Sequence, residues 1–187
     1  DLHSFPTRRS SDLEPVTTFL QYSCVPNPKA RSNAIDNSKL NIDSAKYIPE
    51  PIGWTNDFVH LFSQQEKQSL DSLMGKYEKE TTVELSVATV DSSMMGPIDF
   101  DAYTLLMART WGVGKKEKNN GVLIVIAPGL RRIRIQNGYG IEKVLTNDET
   151  KTILDSTFTP LFKQGEFYLG TREGILAIMN KLKKNGL

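Results

Sequence analysis

Seven consecutive residues, Gly121-Val122-Leu123-Ile124-Val125-Ile126-Ala127, constrain this chain more than any other feature. The run is continuously apolar and ends at a Pro128-Gly129 turn signal. It falls far short of the ~20 residues a membrane helix needs. It reads as a strand covered on both faces, which belongs in the middle of a layered α/β domain.

The flanking segments supply the layers. Residues 83–90 (VELSVATV) form a second strand, ended by Asp91-Ser92-Ser93. Residues 132–137 alternate, with Ile133 and Ile135 on one face and Arg132, Arg134 and Gln136 on a wetter one. That period of two predicts a hairpin strand returning through the Pro-Gly turn. Ser63-Gln64-Gln65-Glu66 is a capping box opening a helix with Leu70, Leu73, Met74 and Tyr77 on its inner stripe. A second helix follows Asp99, with Ala102, Leu105 and Leu106 expected inward and Gly112 and Gly114 as its stop. Thr146-Asn147-Asp148-Glu149 is another capping box, and Pro160 is expected to kink or end the helix it opens. Residues 166–184 make a last helix with Ile175, Ile178, Met179 and Leu182 inward. The expected fold is a three-layer α/β/α sandwich on a small mixed sheet. A right-handed parallel crossover joins its first two strands, and a hairpin adds an antiparallel one.

Three stretches differ in character. Residues 1–13 (DLHSFPTRRSSDL) read as the translation of a short-read sequencing adaptor and are set aside from fold reasoning. Residues 14–46 hold an apolar patch ending at Cys24, then a polar linker. That pattern is expected of a signal remnant with Cys24 as a lipidation site and a disordered tether behind it. Residues 47–187 carry the globular pattern, beginning with an extended Tyr47-Ile48-Pro49-Glu50-Pro51. The chain has 23 basic and 22 acidic residues, too balanced for a nucleic-acid binder. One cysteine excludes an intramolecular disulfide framework and a cysteine-based zinc cluster.

Candidate chemistry lies in the loops. There is no G-x-S-x-G elbow and no Walker lysine motif. Gly138-Tyr139-Gly140 follows a strand but lacks the third glycine of a dinucleotide fingerprint. Asp57, Asp91, Glu142 and Asp148 all stand at element boundaries, and Asn120 precedes the central strand. Oxygen donors gathered from several loops suit a hard cation such as Ca²⁺ or Mg²⁺. The topology makes Asn120 and the 138–142 loop neighbours and sends Asp91 to the opposite edge, beside Pro128-Gly129. Asp57, Asn120 and Glu142 are the expected metal ligands. If the site were catalytic, Asp57 would be the candidate base, and Lys115 or Arg134 would clamp a phosphate. Trp54 is expected to bury its ring and fix the lead-in.

Five stretches carry a family likeness: Gly53-Trp54-Thr55-Asn56-Asp57-Phe58, Tyr77-Glu78-Lys79-Glu80-Thr81-Thr82, Trp111-Gly112-Val113-Gly114-Lys115-Lys116, Asn120-Gly121-Val122-Leu123 and residues 134–142 (RIQNGYGIE). In this order and spacing the chain from about residue 48 to 184 resembles the TPM domain. The resemblance implies the α/β/α fold, an extracytoplasmic setting, a shallow acidic groove and divalent-metal binding, with Ca²⁺ the cofactor expected. The family often has Asp where Asn119 stands, so a ligand charge is missing here. The resemblance implies a binding or assembly module at the cell envelope, whose partner is an envelope protein. The alternative is a metal-assisted acid phosphatase acting on a small phosphorylated substrate. No nucleic-acid partner is expected, and membrane contact only through a lipid anchor.

Overall fold

A computed structural model describes residues 44–114 and 118–187. Four strands form one mixed sheet in the order β1-β2-β3-β4: β1 Thr55–Asp57, β2 Glu84–Thr89, β3 Gly121–Ala127 and β4 Arg132–Asn137. β1, β2 and β3 are parallel, and β4 is antiparallel to β3. The helices are α1 Ser44–Tyr47, α2 Gln64–Thr81, α3 Ser92–Met95, α4 Phe100–Trp111, α5 Tyr139–Glu142, α6 Asn147–Ile153, α7 Thr159–Lys163 and α8 Phe167–Lys184. A π-helical turn, Leu154–Phe158, fuses α6 to α7.

Every residue of β3 is buried, as the apolar run demanded. Its side chains divide between two cores. Val122, Ile124 and Ile126 meet Leu70, Met74 and Tyr77 of α2 and Ile175, Ile178 and Leu182 of α8. Leu123, Val125 and Ala127 meet Phe100, Tyr103 and Met107 of α4 on the other face. The α/β/α sandwich is therefore the fold.

The two parallel crossovers step the same way across the sheet, β1 to β2 and β2 to β3, yet α2 and α4 cover opposite faces. Two such units have opposite hands, so one of them is left-handed, the uncommon sense. The short β1 makes this tolerable, since only three residues pair. That strand was expected as an irregular lead-in; its backbone pairs Thr55, Asn56 and Asp57 with Val87, Ala88 and Thr89.

Three local expectations are revised. The inner face of α4 is turned by about one residue: Phe100, Tyr103, Thr104 and Met107 are buried, and Ala102, Leu105 and Leu106 only partly. The rotation follows from Asp99, which caps the Asp101 and Ala102 amides and sets where the helix begins. Pro160 does not end the helical run: it stands in the first turn of α7, and the α-helical ladder is interrupted before it by the π turn. The wider turn lets the Thr159 hydroxyl donate to Leu154 O at 2.8 Å. The stretch before β1 is partly helical and docked, not merely extended. Ile48 is buried in the second core, Tyr103 Oη donates to Tyr47 O (3.1 Å), and Trp111 Nε1 donates to Pro49 O (2.7 Å).

Candidate functional site at the amino edge of the sheet

Asp57 closes β1 rather than facing a ligand. Its Oδ1 accepts from Thr89 Oγ1 (2.6 Å) and Leu61 N (2.9 Å), and its Oδ2 accepts from Phe62 N (3.0 Å). The residue is buried. Asn56 beside it is wholly buried: Oδ1 accepts from Ile52 N and Gly53 N, and Nδ2 donates to Gly53 O, Ser86 Oγ and Val87 O. Trp54 lies half-buried against Gly75, with Nε1 donating to Glu78 Oε2 (2.8 Å). Asx side chains that bond loop backbone are a common way to shape an irregular segment. The Gly53–Phe58 signature is thus consumed in local structure.

The sheet register also separates the expected ligands. Asp57 pairs with Thr89 at the carboxyl end of β2. Asn120 lies at the other end, where Glu84 N donates to Asn120 O (3.2 Å). The grouping of Asp57 with Asn120 and Glu142 is therefore corrected: parallel strands carry β1's last residue to the edge opposite β3's first. Asp91 is on the same carboxyl edge as Asp57, near Gly129. There it caps α3, accepting from Ser93 N (2.8 Å), a bond that lowers its pKa.

Arg134 is not poised at an edge either. It pairs with Val125 in mid-strand, is buried, and bonds Asp101 Oδ1 at 2.6 Å. Arg132 reaches the same oxygen at 2.8 Å and lies over the Phe100 ring. Gln136 Nε2 donates to Thr104 Oγ1 (2.8 Å). The face of β4 read as wet is instead covered by α4, whose polar residues answer it one by one. Lys115 and Cys24 lie outside the described residues.

What does converge is the amino edge of the parallel strands, where β3 begins and β4 ends. The backbone is packed so closely there that side chains cannot enter. A Cβ on Gly121 would meet Val113 O at 2.0 Å, one on Gly138 would meet Asn119 O at 2.2 Å, and one on Gly140 would meet Lys118 O at 2.2 Å. Gly140 N donates to Asn119 O (3.0 Å), Gly114 N to Glu84 Oε2 (2.9 Å), and Asn120 Nδ2 to Thr82 O (2.6 Å). Asn119 itself has positive φ, 47°. Between the two clamped glycines Tyr139 stands 63% exposed. Glu142 ends α5 on the same edge, half-exposed.

Chemically, this edge offers oxygen. Asn137 Nδ2 donates to Thr150 Oγ1 (3.0 Å) and Leu145 O (3.4 Å), which leaves Asn137 Oδ1 buried with no hydrogen-bond partner. The Glu142 carboxylate, the Asn120 amide and loop carbonyls belong to the same edge, and oxygen donors of these kinds are the ones Ca²⁺ accepts. Among the described residues no three His, Cys, Asp or Glu side chains stand together as a metal group. The Asp57 carboxylate is taken up by the Thr89, Leu61 and Phe62 donors, on the edge opposite Asn120 and Glu142. Sequence reasoning passed over Asn137 and Tyr139. The available signal was an aromatic bracketed by glycines just after a strand, set aside as a failed dinucleotide motif.

Comparison with known proteins agrees with this architecture. The family model described as "TPM domain" matches residues 55–181. The N-terminal domain of a protein from P. gingivalis, solved by NMR, is 30% identical; the match covers 70% of this chain and 82% of that one, with a TM-score of 0.63. The BA42 protein from the psychrophilic bacterium Bizionia argentinensis shares the fold at 23% identity and a TM-score of 0.59, over 68% of this chain and 86% of that one. No curated protein matches.

Proposed function

Because the chain belongs to the TPM domain family, we propose that it is a binding and assembly module working outside the cytoplasm through the amino edge of its sheet. We further propose that a divalent cation, Ca²⁺, binds at that edge, with Asn137, Glu142 and Asn120 among its oxygen donors. The observation that carries this reading is the convergence of three family stretches, around residues 111–114, 120–123 and 134–142, on one edge. The Gly53–Phe58 stretch, in contrast, is spent on its own hydrogen bonds. An extracytoplasmic placement and a lipid tether at Cys24 belong to the proposal and come from the sequence pattern. Of the hydrolase alternative's candidates, the base Asp57 and the clamp Arg134 are committed elsewhere, and the other clamp candidate, Lys115, lies outside the described residues.

The test is calcium titration of the full chain, read by melting temperature and by amide shifts. A ligand that binds only the native state raises the melting temperature by mass action. Glu142→Ala is expected to abolish the calcium-dependent rise. Asp57→Ala should lower the melting temperature and leave the rise intact. A rise that survives Glu142→Ala, or no rise at all, refutes the edge site.

A further inference from the structure

Three Asn-Gly steps occur in the chain, at 120–121, 137–138 and 185–186. An asparagine before glycine is the one that cyclises most readily, because glycine has no side chain to shield its amide nitrogen. The fold treats the three steps differently. Asn120 is buried with Nδ2 on Thr82 O (2.6 Å), and a Cβ on Gly121 would meet Val113 O at 2.0 Å. Gly138 N donates to Gly121 O (2.8 Å), and a Cβ on Gly138 would meet Asn119 O at 2.2 Å. Neither step leaves room for a new ring. A Cβ on Gly186, in contrast, would meet nothing within 4 Å among the described residues. Asn185, Gly186 and Leu187 are all exposed.

Asn185 is the C-cap of α8, and Gly186, at φ 101°, turns the chain out of the helix. Two bonds close this cap: Leu187 N to Leu182 O at 3.0 Å and Gly186 N to Lys183 O at 3.4 Å. The longer bond is the weaker. The nitrogen that would attack is therefore the one held least, at a helix end that frays. The Asn185 side chain ties separate elements together. Its Nδ2 donates to Val144 O (2.6 Å), just after α5, and to Glu149 Oε1 (3.4 Å) on α6. The same Glu149 oxygen takes Lys181 Nζ at 2.7 Å.

We propose that Asn185 is a site of spontaneous deamidation, converted ahead of Asn120 and Asn137, and that its product frees the end of α8 from the loop after α5. Gly186 N gives up its proton to solvent and attacks Asn185 Cγ. The Cγ–Nδ2 bond breaks, and the departing nitrogen takes up a proton and leaves as ammonia. One water then opens the succinimide, at Cγ to give aspartate or at the Asn185 main-chain carbonyl carbon to give isoaspartate. Nothing is oxidised or reduced, and water is the sole co-reactant. In either product the Nδ2 donor is gone and a carboxylate has been added. Val144 O loses its partner. The Lys181 ammonium is left to answer two carboxylates, and the new charge stands at the negative end of the α8 dipole. Isoaspartate also lengthens the main chain by a methylene inside the cap. The change requires no cation at the amino edge.

The experiment is ageing of the full chain in mildly alkaline buffer, with and without urea, followed by peptide mapping by mass spectrometry. In the folded chain the Asn185 peptide should gain the deamidation mass at least about tenfold faster than the Asn120 and Asn137 peptides, which convert only when their surroundings open. In urea the three should convert at similar rates, since the packing that protects two of them is gone. Asn185→Asp, which installs the aspartate product directly, should melt at least about 2 °C below the parent. Equal or faster conversion at Asn120 or Asn137 in the folded chain, no conversion at Asn185, a lead for Asn185 that persists undiminished in urea, or an Asn185→Asp variant that melts with the parent overturns the proposal.

Discussion

At the scale of single residues, the buried carboxylate of Asp57 shows how an acidic side chain can look functional and be structural. It accepts three hydrogen bonds, two of them from the Leu61 and Phe62 amides that turn the chain toward α2. Replacing it with alanine leaves those buried donors unpaired, each a loss of about 1–3 kcal/mol. Asp57→Ala is expected to cost about 3 kcal/mol in urea unfolding. A cost under about 1 kcal/mol would show that water replaces the carboxylate freely. Trp54 is less buried than expected, and its loss is placed at the low end for an aromatic truncation, about 3 kcal/mol.

At the scale of elements, the π turn and the glycines of α8 form one device. A Cβ on Gly174 would lie 2.1–2.5 Å from the Phe158 ring, and one on Gly170 would lie 2.7 Å from Phe162. Phe158 reaches that groove because the π turn resets the helix before Pro160. Gly174→Ala gains helix propensity worth under ~1 kcal/mol but overpacks a rigid ring, so a net loss of about 2 kcal/mol is expected by chemical denaturation. A stabilised Gly174→Ala would mean that Phe158 can withdraw. Glu149 joins α6 to α8 through Lys181 (2.7 Å) and Asn185. The Lys181 ammonium, then the Thr146 amide, hold the Glu149 carboxyl down at about 2. Its folded pKa is below its unfolded value, so its stabilising contribution is full above the ordinary carboxylate range. That contribution disappears as pH falls through 4.5 toward about 2. Glu149→Gln should flatten that part of the acid-stability profile; an unaltered slope would assign it to other carboxylates. Burial pushes the Tyr103 phenol up to about 12. The sign is opposite: stability is complete below pH 10 and is lost as pH climbs toward the folded value.

At the scale of the whole molecule, the folding unit begins before the first strand. Ile48 fills the second core, the Tyr47 ring occupies the space beside Gly96, and Trp111 holds Pro49 O. A chain starting at Ser44 is expected to melt with the full chain, whereas one starting at Thr55 should melt at least about 5 °C lower, the shift ~1 kcal/mol produces in a domain of this size. Equal melting of the two truncations would show that residues 44–54 contribute nothing. The layers themselves were legible from residue types. Continuous apolarity marked β3 as central, alternation marked β4, and the boxes at Ser63 and Thr146 marked two helix starts, each with its capping geometry present. These are properties of ten or fewer neighbouring residues, and local patterning determines them by itself. Which edge a loop residue reaches depends instead on strand direction and crossover, which neighbouring residues do not encode. Asp57, Asn120 and Arg134 all looked like site residues because polar side chains at element ends or on an alternating strand carry the same local signature whether they bind a ligand or their own backbone. Only the tertiary structure sent Asp57 to the carboxyl edge, covered Arg134 with α4, and left Tyr139 exposed between two glycines. Partners brought together from distant parts of the chain decide burial, and burial decides whether a polar group is spent on the fold or left for something else.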